Sequence, residues 1–231
     1  MEGVLERIQG GLIVSCQAGE GSPFHGPRFM AAMAVAAEQG GAVGIRANGP
    51  GDVRAIRRAT SLPIIGIYKR RDLSPDVYIT PDVASARAVI RAGADIVAVD
   101  GTARPRPGGV TLAELVRAIK GTHNVLVMAD ISTVEEASAA VAASADIVAT
   151  TLSGYTPATA HRRAGPDLDL IRELVARVRV PVIAEGRFWT PEEVCQAISL
   201  GAHAVVVGTA ITNPEAITVR FVRALQEATH G

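Results

Sequence analysis

Aromatic residues make up only 3% of this 231-residue chain. That scarcity excludes a stacking platform for single-stranded nucleic acid. An excess of one charge is also missing, because Lys+Arg and Asp+Glu both number 23. The chain therefore lacks the broad basic surface that a nucleic-acid or anionic-membrane binder needs. Cysteine is almost absent. Cys16 and Cys195 are too few for a disulfide framework and suit a reducing, cytoplasmic setting. No apolar run reaches the roughly 18 residues of a membrane span. The opening residues 1–7 put no apolar stretch behind a basic head, so no signal peptide is expected. None of His25, His123, His161, His203 and His230 pairs with another ligand at metal spacing along a strand end. No metal is expected. What remains is a small-molecule partner, with neither nucleic acid nor membrane.

Hydrophobic residues are plentiful at 48%, and the length suits one α/β domain with a large core. Residues 1–10 read as a short amphipathic lead-in helix that closes the bottom of the fold. Short apolar, β-branched runs then recur at 12–17, 43–47, 63–69, 95–100, 125–130, 146–151, 180–187 and 204–210. Helical patterns follow each run, and a Thr133-x-x-Glu136 capping box marks one start. Strand ends are about 27 residues apart, the size of a minimal βα unit in a (β/α)₈ barrel. Faint repetition supports this, as in Leu62-Pro-Ile-Ile against Val180-Pro-Val-Ile. The fold expected is a single-domain TIM barrel over 1–231. An open doubly wound sheet is the minority reading, since no Gly-x-Gly-x-x-Gly follows the first strand. Residues 102–109 are expected to form an exposed loop.

The last two strands end in small residues, Glu185-Gly186-Arg187 and Gly208-Thr209-Ala210. A glycine there lets backbone N–H groups approach a ligand closely. Two such loops side by side, late in a repeating β/α chain, form the phosphate cradle of many barrels. The other strand ends carry Gln17, Arg46, Lys69 and Asp130, each after an apolar run that gives no local reason for polarity. In a barrel all these ends converge on one face. Any single one is explained by a salt bridge at the rim; the whole set is not. Lys69, partly desolvated near a guanidinium, would have a lowered pKa and serve as a base or Schiff-base amine. Asp130 and Glu185 are candidates for proton shuttling or for holding hydroxyls, with pKa values expected far below neutrality. Cys16 reads as a small buried hydrophobe. Asp100 either lines the pocket or caps the Gly101 turn.

Seven segments, taken in order, resemble the N-acetylmannosamine-6-phosphate 2-epimerase family. They are Ser15-Cys-Gln17, Gly44-Ile-Arg-Ala47, Ile67-Tyr-Lys69, Met128-Ala-Asp130, Thr150-Thr-Leu-Ser-Gly-Tyr-Thr156, Ile183-Ala-Glu-Gly-Arg187 and Val207-Gly-Thr-Ala-Ile-Thr212. The match covers essentially the whole chain. It implies interconversion of N-acetylmannosamine 6-phosphate and N-acetylglucosamine 6-phosphate in sialic-acid and amino-sugar breakdown, without a cofactor. It implies Lys69 and Glu185 as the catalytic pair. Gln17, Arg46, Asp130, Thr151 and Tyr155 would hold the substrate, and Gly186, Arg187, Gly208 and Thr209 the phosphate. Asn213 stands where some members carry a basic residue. Three alternatives stay open: an FMN-dependent barrel oxidoreductase, because the same glycine loops suit an FMN phosphate, another isomerase or aldolase of phosphorylated sugars, and a non-catalytic sugar-phosphate sensor. The sequence does not fix the oligomeric state; a homodimer is allowed for.

Overall fold

A computed structural model describes residues 2–162 and 164–230 of the chain. Eight parallel strands close into a barrel in the order of the sequence, β1 to β8. They are β1 (Leu12–Cys16), β2 (Gly44–Asn48), β3 (Ile64–Ile67), β4 (Ile96–Asp100), β5 (Leu126–Asp130), β6 (Ile147–Ala149), β7 (Val182–Glu185) and β8 (Ala204–Val207). The connecting helices are α2 (Pro27–Gln39), α3 (Gly49–Ala59), α4 (Val83–Ala92), α5 (Leu112–Lys120), α6 (Val134–Ala142), α7 (Leu168–Arg177) and α8 (Pro191–Ser199). A four-residue helix α9 (Thr209–Thr212) and a long α10 (Pro214–His230) follow β8. The lead-in helix α1 (Glu2–Ile8) precedes β1.

The strands are apolar on both faces because both faces are covered. Alternate residues, among them Ile13, Ile65, Ile96, Met128, Ile147, Ile183 and Val206, fill the barrel interior. Their neighbours, such as Ile45, Val97, Val127, Val148 and Val205, pack under the helices. Val4, Leu5 and Ile8 of α1 pack against the interior cluster from below. His203 belongs to that lower end, where its backbone N–H donates to Val182 O and its Nε2 meets Leu5 O at 3.0 Å. Capping boxes start α5 at Thr111, α6 at Thr133 and α8 at Thr190, each with a glutamate three residues on.

The interior alternation reaches the upper rim with Ser15 and Gln17, Arg46, Lys69, Asp100, Asp130, Thr151, Glu185 and Gly208. Residues 102–109 form the expected loop, exposed at Ala103, Pro105, Gly108 and Gly109 but turned inward at two positions. Thr102 and Arg106 are buried. The Asp100 side chain accepts from the Thr102 N–H and hydroxyl and pairs with Arg104, while Arg106 donates to the Asp100 carbonyl. A buried carboxylate needs such partners, and the loop folds inward to supply them. Asp100 thus caps its turn and does not line the pocket.

Candidate active site

A cavity of about 550 Å³ opens at the C-terminal ends of the strands. It is lined by Gln17, Arg46, Lys69, Thr151, Tyr155, Glu185, Gly186, Arg187, Gly208 and Thr209. All the residues singled out from the sequence meet there except Asp130. That carboxylate is fully buried behind Arg46 and does not reach the cavity wall.

Arg46 organises the floor. It is 1% exposed, and its Nη1 lies 3.1 Å from Asp130 Oδ1. The same nitrogen donates to Glu185, and Nη2 donates to the second oxygen of Asp130. Burial opposes the charge of Arg46, but the two carboxylates hold it firmly ionised. Its Nε has no hydrogen-bond partner among the described residues. Thr151 Oγ1 joins the group at 2.8 Å from Asp130 and 3.1 Å from Glu185. Thr150 pins the end of β7, its hydroxyl bonding both the N–H and the C=O of Glu185 at 3.0 and 2.9 Å. The salt bridge that was the alternative for Arg46 is therefore present, and it is built into the cavity floor.

Two groups of the cavity have pKa values moved toward neutrality. Burial, with the Asp130 charge beside it, lifts Glu185 to about 7 against the pull of Arg46. This corrects the expectation that Glu185 ionises far below neutrality. The cause is tertiary: removal from water outweighs one cation that is itself shared with Asp130. Lys69 falls to about 8, first through loss of hydration and then through the Arg46 charge, with Glu185 opposing. Its ammonium is open to solvent at the cavity mouth, yet the walls displace much of the water around it. Its backbone is fixed, the N–H donating to Asn48 Oδ1 at 2.8 Å and the residue bridging to Ile79 in antiparallel fashion.

The two glycine loops complete the rim. Gly186 has φ 114° and Arg187 φ 59°, a left-handed pair in which the second residue is not glycine. The Arg187 side chain holds that conformation by donating to Gly165 O at 2.6 Å and to Ser153 O, with its guanidinium 5.4 Å from the Tyr155 ring centroid. The side chain straps the 153–165 loop; its place on the cavity wall leaves the backbone N–H groups as the donors of this corner. A Cβ on Gly208 would sit 3.2 Å from Ser15 Cβ, tighter than an ordinary contact, so glycine suits the close pass of β8 by β1. Thr212 anchors α9 by donating to Ser15 O at 2.9 Å.

Sequence reasoning missed Ser15, Tyr78, Trp189 and Thr212 as cavity residues. Ser15 was recoverable, standing two residues before Gln17 on the same strand face. Tyr78 and Trp189 come from loops, where no periodicity marks them. Cys16 is buried, and burial pushes its thiol up to about 12, so it is no nucleophile at neutral pH. Among the described residues, no cluster of His, Cys, Asp and Glu could hold a metal.

A closed parallel barrel with a lysine, a near-neutral carboxyl and a buried arginine at its strand ends defines a (β/α)₈ enzyme of the proton-transfer kind. Comparison with known proteins gives the family. Residues 30–227 match the model for "Putative N-acetylmannosamine-6-phosphate epimerase". A relative from Caldanaerobacter subterraneus subsp. tengcongensis, named "Putative N-acetylmannosamine-6-phosphate 2-epimerase", is 52% identical over 97% of this chain and 94% of its own. One of the same name from Cutibacterium acnes is 48% identical over 98% and 100% of the two chains. The solved N-acetylmannosamine-6-phosphate 2-epimerase of Clostridium perfringens superposes with a TM-score of 0.92, at 45% identity and 95% coverage of each chain. This chain belongs to the N-acetylmannosamine-6-phosphate 2-epimerase family. Membership favours an epimerase over the flavin-dependent oxidoreductase and the sensor.

Proposed function

We propose that this protein interconverts N-acetylmannosamine 6-phosphate and N-acetylglucosamine 6-phosphate by removing and returning the proton at C2. The carrying observation is the pairing of Lys69 near 8 with Glu185 near 7 in one cavity floored by Arg46. The C2 proton of a hexosamine is acidic only beside a C1 aldehyde, so the reacting form is the open chain. Neutral Lys69 takes the C2 proton, the electron pair of the broken C–H bond forms a C1=C2 double bond, and the carbonyl π pair moves onto O1. Protonated Glu185 donates to O1 as charge develops, and Arg46 holds Glu185 in place. After the intermediate has turned, Lys69 returns a proton to the other face of C2 while Glu185 takes back the O1 proton, so that the C1 aldehyde re-forms and both groups regain their starting states. Gln17, Thr151 and Tyr155 hold hydroxyl and acetamido groups. Asp130 acts through Arg46, keeping its guanidinium fixed. The Gly186–Arg187 and Gly208–Thr209 backbones take the phosphate, which anchors the substrate far from the reacting carbon.

The test is NMR of C2 in heavy water. Product should carry deuterium at C2, and recovered substrate should gain it too, because a lysine ammonium has three equivalent hydrogens. A two-base mechanism with slowly exchanging bases labels only product at early times. Lys69→Ala should abolish exchange and turnover together while circular dichroism stays native. Epimerisation by Lys69→Ala at near wild-type rate would remove Lys69 from the role.

We also propose a homodimer. Phe221, Val222 and Leu225 on α10 are exposed, an apolar stripe that a second copy would cover. Sedimentation giving a 24.0 kDa species at micromolar concentration would overturn this.

A further inference from the structure

Two threonines follow β6 and hold Glu185 at two levels. They lie in the short 3₁₀ turn Thr150–Leu152, which the Leu152 N–H anchors by donating to Ile131 O at 3.1 Å. Thr150 fixes the Glu185 backbone through both its N–H and its C=O. Thr151 reaches the side chain. Its Oγ1 lies 3.1 Å from Glu185 Oε2 and 2.8 Å from Asp130 Oδ1. Both of those atoms are carboxyl oxygens, and a hydroxyl has one hydrogen to give. Thr151 therefore serves one of them at a time. Its β-branch restricts χ1 and keeps the oxygen between the two.

The partners decide where that hydrogen goes. Asp130 keeps both terminal nitrogens of Arg46 whichever way the hydroxyl turns. Glu185 Oε2 accepts from Arg46 Nη1, and a guanidinium offers no acceptor to a proton on that oxygen. Oε1 makes no hydrogen bond among the described residues, yet it is not one of the buried atoms left without a partner, so it opens to the cavity. A carboxyl proton therefore sits on Oε1, facing the substrate. The remaining charge close to Glu185 is Lys69 of the β3 end. Ser15 and Gln17 at the end of β1 and Gly208 after β8 carry none. Asp100 of β4 is paired with Arg104, and the Arg187 guanidinium is turned to Ser153 O and Gly165 O.

We propose that Thr151 is a positioning residue whose hydrogen follows the proton of Glu185: it lies on Asp130 while Glu185 is protonated at Oε1, and turns to Glu185 Oε2 once that proton has gone to O1 of the substrate. This rests on the epimerase reading of the site. No bond is made or broken at Thr151. Its O–H rotates between two acceptors, and rotates back when Glu185 recovers the proton. The carboxylate formed in mid-reaction thereby gains a donor that the resting carboxyl lacks. Such a donor favours the ionised form, and burial of Glu185 is already opposed in part by this contact. A lone pair of the same oxygen remains to accept from a substrate hydroxyl.

The test is a carboxyl-carbon NMR titration of the full chain labelled at glutamate, without substrate. The Glu185 signal is identified by its loss in Glu185→Gln. Thr151→Val keeps the shape and removes the hydroxyl. Its Glu185 midpoint should rise by about one pH unit, the size of one hydrogen bond to a charged group. Thr151→Ala should do the same, and Thr151→Ser, which keeps the hydroxyl, should titrate close to wild type. With N-acetylmannosamine 6-phosphate, kcat should fall about tenfold in Thr151→Val and recover in Thr151→Ser. A threonine that only filled space would leave the midpoint where it is. An unmoved midpoint in Thr151→Val and Thr151→Ala overturns the proposal, as does Thr151→Ser titrating like them or an unchanged kcat in Thr151→Val. If these midpoints move as expected but the wild-type protein does not epimerise, the epimerase reading fails and the hold of Thr151 on Glu185 stands.

Discussion

A carboxyl and an amine taken from water move toward each other on the pH scale, since burial disfavours both charged forms. Lys69 and Glu185 show this, one down to about 8 and the other up to about 7. The proposed chemistry needs Lys69 without its proton and Glu185 with one. Neutral Lys69 gains population as pH rises through 8, and protonated Glu185 loses it as pH rises through 7. Their product peaks between the two values, so kcat/KM should trace a narrow bell whose limbs belong to the pair. Glu185→Gln should remove the carboxyl from that profile and leave a single rise to a plateau. That rise should shift to lower pH, because the Glu185 charge had favoured the ammonium. A pH-independent kcat/KM between 6 and 9 would exclude this pair as the titrating groups. The polarity of both residues was legible in the sequence, as charges ending apolar runs. The near-neutral carboxyl was not, because it depends on burial at the end of the barrel, and then on Asp130 sharing Arg46.

Strand–helix alternation follows from local patterning, and the strands were readable within about three residues of their observed bounds. Thr133-x-x-Glu136 announced the start of α6, and the structure has that box formed. Segments whose shape depends on a distant partner were not readable. The 102–109 loop turns inward only because Asp100 waits at the end of β4, and α9 forms only where Thr212 can reach Ser15. The 153–165 loop is of the same kind, tied down by Arg187 from β7. Gly154 makes that tie possible. It has φ +79°, and a Cβ there would lie 2.5 Å from Arg162 O and 2.7 Å from Arg187 Nη1. Gly154→Ala should therefore push the guanidinium off Ser153 and displace Tyr155 from the cavity wall. Backbone strain and the lost contacts should cost about 1–3 kcal/mol of stability. The urea midpoint and kcat/KM should fall together. If neither moves, the Arg187 strap does not hold the loop.

The whole barrel separates two tasks. Under the proposed function the chemistry falls to Arg46, Lys69 and Glu185 at the ends of β2, β3 and β7, with Asp130 of β5 behind Arg46, and the anion corner to the loops after β7 and β8. That separation lets binding energy from a remote group position the reacting carbon without touching it. The corner was visible in the sequence because its backbone geometry favours glycine, at Gly186 through φ 114° and at Gly208 through the close pass to Ser15. Arg187 lines the cavity, and the engagement of its side chain by two loop carbonyls was invisible without the fold. If the corner does hold the phosphate, removing that group from the substrate should weaken catalysis far beyond the loss of a few contacts in water. Two charge-assisted hydrogen bonds at about 1.5 kcal/mol each already correspond to about a hundredfold. N-acetylmannosamine should therefore show kcat/KM at least about a hundredfold below its 6-phosphate. Part of the loss should fall on kcat, because a substrate that is not anchored spends less time with C2 at Lys69. Added inorganic phosphate, filling the vacated corner, should not restore the anchor, since it is not joined to the sugar. Comparable kcat/KM values for the two sugars would place the phosphate elsewhere and leave the glycine loops as turns.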